Sequence, residues 1–163
     1  SRMVEPVQIR DLLEDALRLN AGSLERHDVS VVRVFAEVPL VPLDRHRVMQ
    51  ILVNLISNAK QAMDAMAGRQ HRMTLRVDVA DGQAGRSLRI CVEDQGEGIT
   101  AENMTRIFNH GFTTRKNGHG FGLHSCVLAA QEMGGTLTAH SDGPGLGAIF
   151  TFELPIAAAG GMA

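Results

Sequence analysis

The sequence predicts an α+β fold, a two-layer α/β sandwich with a mixed, mostly antiparallel sheet of about five strands and about three helices on one face. Three observations predict it. Residues 48–66 carry one apolar stripe at helical spacing. Two pairs of alternating segments, 72–80 with 88–94 and 136–140 with 148–154, read as consecutive hairpins. The helical and extended segments come in runs, without the strict alternation that builds a parallel doubly wound sheet.

With 163 residues, 44% of them hydrophobic and 21% charged, the chain is expected to form a single domain, 1–163, with a core over about 5–156 and a loose tail at 157–163. A formal net charge of −2 gives no ground for nucleic-acid or anionic-membrane binding through bulk charge. No apolar run approaches the ~20 residues of a membrane span, and no signal-peptide pattern opens the sequence. A cytoplasmic domain without direct membrane contact is therefore expected, with Cys91 and Cys126 as reduced core thiols. Trp and Tyr are absent, so aromatic stacking is left to six Phe.

Taken in order, residues 7–26 read as an amphipathic helix with Ile9, Leu12, Leu13, Ala16, Leu17 and Leu24 on one face. Residues 29–37 are rich in β-branched side chains and read as a strand, broken by Pro39 and Pro42. The helix over 48–66 follows, with Asp44 as its N-cap and Gly68 beyond its end. Met73, Leu75, Val77 and Val79 alternate, as do Leu88, Ile90 and Val92. Asp81-Gly82 opens a turn expected to be a somewhat long loop to Gly85. Thr100 is a candidate cap for a short helical turn over 101–107. Residues 108–122 show no periodicity, residues 123–133 resume a helical pattern that Gly134-Gly135 ends, and two strands close the domain.

Four constellations carry candidate chemistry. Asn54 and Asn58 are four apart, so they share a face of their helix beside the core stripe. Asn competes for backbone hydrogen bonds and needs partners there. The two amides bond each other and nearby backbone, or they serve a ligand. Asp94 ends its strand on the core side, either capping the next turn or accepting from an exocyclic amine such as that of adenine. Gly96 and Gly98 let backbone pass close to a flat ligand. Gly118, Gly120 and Gly122, with His119 and Phe121 between them, lead into the helix at Leu123. Such exposed amides at a helix start suit phosphate. The cluster Thr113, Thr114, Arg115 and Lys116 offers cations to a terminal phosphate. No Gly-Lys pair exists, so there is no P-loop, and no serine sits in a nucleophile-elbow pattern. His119 and His124 have a poor spacing for zinc.

In combination these pieces resemble the ATP-binding catalytic domain of sensor histidine kinases, within the gyrase, heat-shock chaperone, histidine kinase and MutL superfamily. NLISNAKQAM is similar to the N box of that family, DQGEGI to its first glycine box, IFNHGFTTR to its F box, GHGFGL to its second glycine box and GLGAIFTFELP to its closing strand. The resemblance implies a Bergerat-type ATP-binding fold with a flexible lid over about 96–122. It implies ATP and Mg²⁺ as cofactors, with Asn58 holding the metal and Asp94 reading adenine. Gly96, Gly98 and Ile99 line the adenine side. Asn54, Lys60, Phe108, Thr113, Thr114, Arg115, Lys116 and residues Gly118, His119, Gly120, Phe121, Gly122 and Leu123 complete the nucleotide site. Arg115 stands where the family usually has Lys, and is expected, with Asn54 and Asn58, to act in catalysis. His110-Gly111 replaces a Pro-Phe pair common in the F box, which implies a more mobile lid.

Where hydrolytic branches of the superfamily resemble one another in a water-activating Glu, this chain has Asn54, and an amide is no base at neutral pH. A histidine acceptor on a separate partner is expected instead. His27, although followed by Asp28, lies at a helix end before a strand and reads as a surface residue. The implied partners are the parent protein's own upstream histidine-bearing helical hairpin and a downstream response regulator. The isolated domain is expected to be monomeric, within a dimeric parent whose architecture leaves room for a membrane anchor. A gyrase- or MutL-like ATPase module, or an anti-sigma-type serine kinase or nucleotide-binding regulator, are the alternatives.

Overall fold

A computed structural model describes residues 3–66, 68, 70–83, 85–109 and 122–156. The elements run β1 (Val4–Val7), α1 (Ile9–Leu19), α2 (Ala21–Arg26), β2 (Val29–Phe35), β3 (Val41–Asp44), α3 (Arg45–Asp64), β4 (His71–Gly82), β5 (Gly85–Asp94), α4 (Ala101–Met104), α5 (Gly122–Glu132), β6 (Thr136–His140) and β7 (Ala148–Pro155). The main sheet has five strands in the order β2-β4-β5-β7-β6. Only the β2–β4 pairing is parallel; the other three are antiparallel. The expected mixed, mostly antiparallel α+β sandwich is therefore the architecture observed.

Strand alternation decides the layering. Met73, Leu75, Val77, Leu88, Ile90, Val92, Phe150, Phe152 and Leu154 are buried on the helix-bearing face. The opposite face is polar and carries a fork-like Arg89–Asp78 pair at 2.9 Å and an Arg76–Glu93 pair at 3.7 Å. Hydrogen bonding to Asp78 raises the already high pKa of Arg89, so the guanidinium keeps its charge. Helix α3 lies against this sheet between α1 and α5. Its stripe Val48, Ile51, Leu52, Leu55, Ile56, Ala59, Ala62 and Met63 is buried, as its spacing predicts. The Asp44 side chain caps it by accepting from the Arg47 N–H at 3.2 Å.

Three local expectations are corrected. The single helix over 7–26 is two helices, because the Asn20 amide turns back to donate to the Ala16 carbonyl at 3.1 Å and ends α1. Leu24 stays buried, so the apolar stripe survives the break. The segment around Pro42 is a strand after all: β3 pairs with β1 in a separate two-stranded sheet, with Pro6 opposite Pro42. Short edge strands tolerate a residue without an N–H. The turn after Asp81 is tight, since β4 and β5 stay paired out to Gly82 opposite Gly85.

Candidate functional site

Helix α3 sets out the site along one line. Asn54, Asn58 and Ala62 follow one another at four-residue intervals, so they lie on a common face, and at 1.5 Å per residue the line is about 12 Å long. Both amides are half-buried beside the core stripe. Each end of the line is met by a different part of the chain.

At the Ala62 end, the loop after β5 packs directly on the helix. A Cβ on Gly96 would stand 2.5 Å from the Ala62 carbonyl carbon, so only glycine fits there. The Glu97 N–H donates to the Ala62 carbonyl at 3.0 Å. That carbonyl is among the last four of α3, which have no partner within the helix. Gly98 has φ +72, and a Cβ there would run into the Gly143 carbonyl oxygen. Both glycines are thus required by the protein's own packing, a stricter demand than room for a flat ligand.

Asp94 ends β5 with only 4% of its surface exposed, the same facing as Leu88, Ile90 and Val92. Its Oδ1 accepts from the Gly96 N–H at 2.8 Å. The turn-capping role and the buried-acceptor role are therefore compatible, because the two oxygens of a carboxylate offer more acceptor positions than one N–H uses. The hydrogen bond offsets part of the cost of burying the charge.

At the Asn54 end stands α5. A Cβ on Gly122 would lie 3.6 Å from Asn54 Oδ1, which puts the amide against the first turn of α5. One turn further along α5 is Cys126, buried beside the Asn54 side chain. Burial pushes the Cys126 thiol up to about 11, against a smaller downward pull from Asn54. It is a neutral thiol at physiological pH. Neither Asn54 nor this neighbour is a proton acceptor for water. The start of an 11-residue helix, where the first N–H groups have no partner within the helix and the dipole end is positive, suits an anion.

The remaining candidate residues divide. Ile99 and Leu123 are half-buried and pack on the core, and Phe108 meets Phe150 edge-on with ring centroids 6.2 Å apart. His124 Nδ1–H donates to the Phe108 carbonyl at 3.0 Å, fastening that segment to α5. Residues 96–109, counted from sequence in a flexible lid over 96–122, are thus tied to the body of the domain where they are described. Lys60 is not drawn into the line. It sits about 200° around the helix from Asn58, and its ammonium pairs with Asp64 at 3.3 Å. Asp64 in turn meets His27 Nδ1 at 2.9 Å. Thr113, Thr114, Arg115, Lys116, Gly118, His119, Gly120 and Phe121 lie outside the described residues.

Sequence reasoning did not single out Ala62, Cys126 as a neighbour of Asn54, or the contact of the 141–147 loop with Ile99 through Ser141. Ala62 was findable as the third step of the Asn54–Asn58 interval. The loop contact spans 42 positions in sequence and leaves no local signal. Among the described residues no group of three or more His, Cys, Asp or Glu could hold a metal ion. Asn58 offers a hard amide oxygen of the kind that Mg²⁺ takes, so this residue fits such an ion if phosphate oxygens and water were to complete its shell. No helix among the described residues is long and apolar enough to cross a membrane.

Comparison with known proteins gives a consistent result. Residues 43–158 match the family described as histidine kinase-, DNA gyrase B-, and HSP90-like ATPase. The chain is 32% identical over 152 residues to the sensor protein TdiS of Thauera aromatica, covering 93% of this chain and 27% of TdiS. It is 32% identical over 156 residues to the sensor histidine kinase ZraS of Klebsiella oxytoca, covering 93% of this chain and 31% of ZraS. Among solved structures it superposes on full-length ShkA in complex with AMPPNP with a TM-score of 0.82 at 27% identity, covering 98% of this chain and 32% of ShkA. The chain thus spans less than a third of the length of these curated relatives.

Proposed function

The chain belongs to the histidine kinase-, DNA gyrase B-, and HSP90-like ATPase family, and from that premise we propose that it binds ATP with Mg²⁺ and delivers the γ-phosphate to a histidine on a separate helical hairpin of its parent protein. A response regulator would receive the phosphate next. The observation that carries this reading is the single line on α3: a buried carboxylate loop docked at Ala62, a half-buried amide at Asn58, and a helix N-terminus meeting Asn54. About 12 Å separates its ends, a span suited to a nucleotide with its base at Asp94 and its phosphates at α5. The likeness to ShkA, solved with AMPPNP, and to the sensor histidine kinase ZraS supports the same choice of ligand and reaction class.

The roles follow from chemistry. Asp94 accepts a hydrogen bond from the exocyclic amine of adenine. The N-terminal amides of α5 and the Asn54 amide face the phosphates. Asn58 would supply an amide oxygen to Mg²⁺, which when bound would neutralise phosphate charge. Arg115 and Lys116 are the cations assigned to the γ-phosphate. The lone pair of a neutral imidazole nitrogen on the partner forms the P–N bond as the P–O bond to ADP breaks, and ADP leaves. Such a nucleophile needs little activation, so positioning and charge neutralisation carry the step. Asn54 beside a neutral Cys126 provides no base for water, which favours transfer over hydrolysis.

The test supplies labelled ATP-Mg²⁺ to the chain together with the histidine hairpin of the parent protein. Acid-labile phosphohistidine is expected on the hairpin, and Asn58→Ala and Asp94→Asn should abolish it. Robust hydrolysis without transfer would replace this reading with an ATPase module.

A further inference from the structure

In the loop between β6 and β7, residues 141–147, Ser141 stands outside every motif that the sequence singles out, yet this loop holds the Asp94 loop by hydrogen bonds of its own. Gly147 N–H donates to the Gly96 carbonyl at 3.2 Å, and Gly145 N–H to the Glu97 carbonyl at 2.7 Å. Ser141 lies at the centre. Its Oγ accepts from the Ile99 N–H at 3.0 Å and from the Gly143 N–H at 3.2 Å, and it donates to the Gly147 carbonyl at 2.6 Å. The Gly143 carbonyl, at 3.4 Å, is a more distant alternative acceptor. A hydroxyl has one donor and two acceptor positions, and all three are used here on backbone from three places in the chain. Neither Ser nor its hydrogen-bonding capacity is spent on solvent.

We propose that Ser141 is a positioning residue for nucleotide recognition: by tying Ile99 to both ends of the 141–147 loop, it holds the 95–99 backbone against α3 and so fixes where the Asp94 carboxylate presents its acceptors to the base. The inference rests on the reading of Asp94 as the adenine acceptor. Removing the hydroxyl leaves two N–H groups and one carbonyl to find new partners in a half-buried place. The loop then gains freedom relative to Ala62, and Asp94 Oδ1 loses the fixed Gly96 N–H that orients it. The consequence is a loss of base discrimination. A carboxylate held in place accepts from the 6-amino group of adenine and repels the 6-oxo group of guanine; a carboxylate free to turn does both less well.

The experiment titrates ATP-Mg²⁺ and GTP-Mg²⁺ into the full 163-residue chain and into Ser141→Ala, Ser141→Thr and Asp94→Asn, with melting temperatures recorded in parallel. Ser141→Ala should weaken ATP roughly tenfold while leaving GTP nearly unchanged, because one to two hydrogen bonds of positioning are lost only for the correct base. Ser141→Thr, which keeps the hydroxyl, should restore the preference to within about threefold of the parent chain. An unchanged ATP-to-GTP ratio in Ser141→Ala overturns the inference, as does an equal weakening of both nucleotides that follows the melting temperature. Should Ser141→Ala fail to fold, Ser141→Cys, of similar volume and weaker hydrogen bonding, is read by the same criteria. If the parent chain binds no ATP, or Asp94→Asn keeps its full preference, the adenine reading itself fails; an Asp94→Asn loss without a Ser141→Ala loss removes only the role of Ser141.

Discussion

The two ends of the α3 line are built by different means. The Ala62 end is made largely of backbone: Gly96, Glu97, Gly145 and Gly147 exchange main-chain hydrogen bonds, the Asp94 and Ser141 side chains bond to main-chain N–H groups, and glycine contacts leave no room for a methyl group. The Asn54 end is made of side chains, an amide against Gly122 and a buried thiol. Backbone contacts fix position and tolerate no added volume. Side-chain contacts tolerate substitution structurally and lose chemistry instead. Mutations at the first end should therefore register in stability as well as binding, and those at the second chiefly in what the site does with phosphate.

The largest effect tests the packed end. Gly96→Ala puts a methyl 2.5 Å from the Ala62 carbonyl carbon, and either the loop or the helix must shift. Denaturant unfolding should show a loss of about 3 kcal/mol. A loss below about 0.5 kcal/mol, typical of surface substitutions, would mean that the loop rides free of α3.

Asp94→Asn comes next and separates binding from packing at that same end. The amide is nearly isosteric, yet it loses a charge-assisted hydrogen bond to the base worth roughly 1.5–3 kcal/mol, so calorimetry should find ATP affinity reduced by about 10- to 100-fold. Unchanged affinity would make Asp94 a structural cap alone.

The Asn54 end is tested through Cys126. Its thiol titrates near 9.0 when unfolded and about 11 in the folded chain. Between those values the folded state binds more protons, so stability falls as pH rises from 9 to 11 and the contribution is fully present below 9. Relative to Cys126→Ser, the chain should lose about 2 kcal/mol across that window. Parallel stability curves would place the thiol in water and remove it as a neighbour of Asn54.

The smallest effect belongs to neither end. Asp78→Ala breaks a pair with Arg89 on the open face, where both side chains are 40% and 42% exposed. Unfolding should register at most about 1 kcal/mol, and ATP affinity should not move. A change in affinity would mean that the outer sheet face communicates with the site.

The sequence made the main sheet legible because one face is buried. Alternation at Met73, Leu75 and Val77 and at Leu88, Ile90 and Val92 carries both the strands and the inward facing of Asp94. The α3 stripe was equally plain. The β1–β3 sheet was hidden because its strands are four residues each, and because Pro42 in the second of them reads locally as a break. The division between α1 and α2 was hidden because Leu17 and Leu24 stay in phase across it, while the cause is one side-chain hydrogen bond from Asn20. In the site, the motif glycines were legible as glycines but not for their reason. Gly96 answers to Ala62 and Gly98 to Gly143, contacts set by tertiary packing over long sequence separations. The same holds for Ser141, which has no pattern of its own and acquires its place only when β6 and β7 bring it beside Ile99.

The most direct test of a nucleotide laid along α3 uses a ligand cut in half. Adenosine, which has a base and no phosphates, and ATP-Mg²⁺ are titrated separately into the parent chain, Asp94→Asn and Asn58→Ala. The account predicts that Asp94→Asn weakens both ligands by similar factors, while Asn58→Ala weakens ATP-Mg²⁺ and leaves adenosine unchanged. Equal weakening of adenosine by Asn58→Ala, or undiminished adenosine binding by Asp94→Asn, would contradict it.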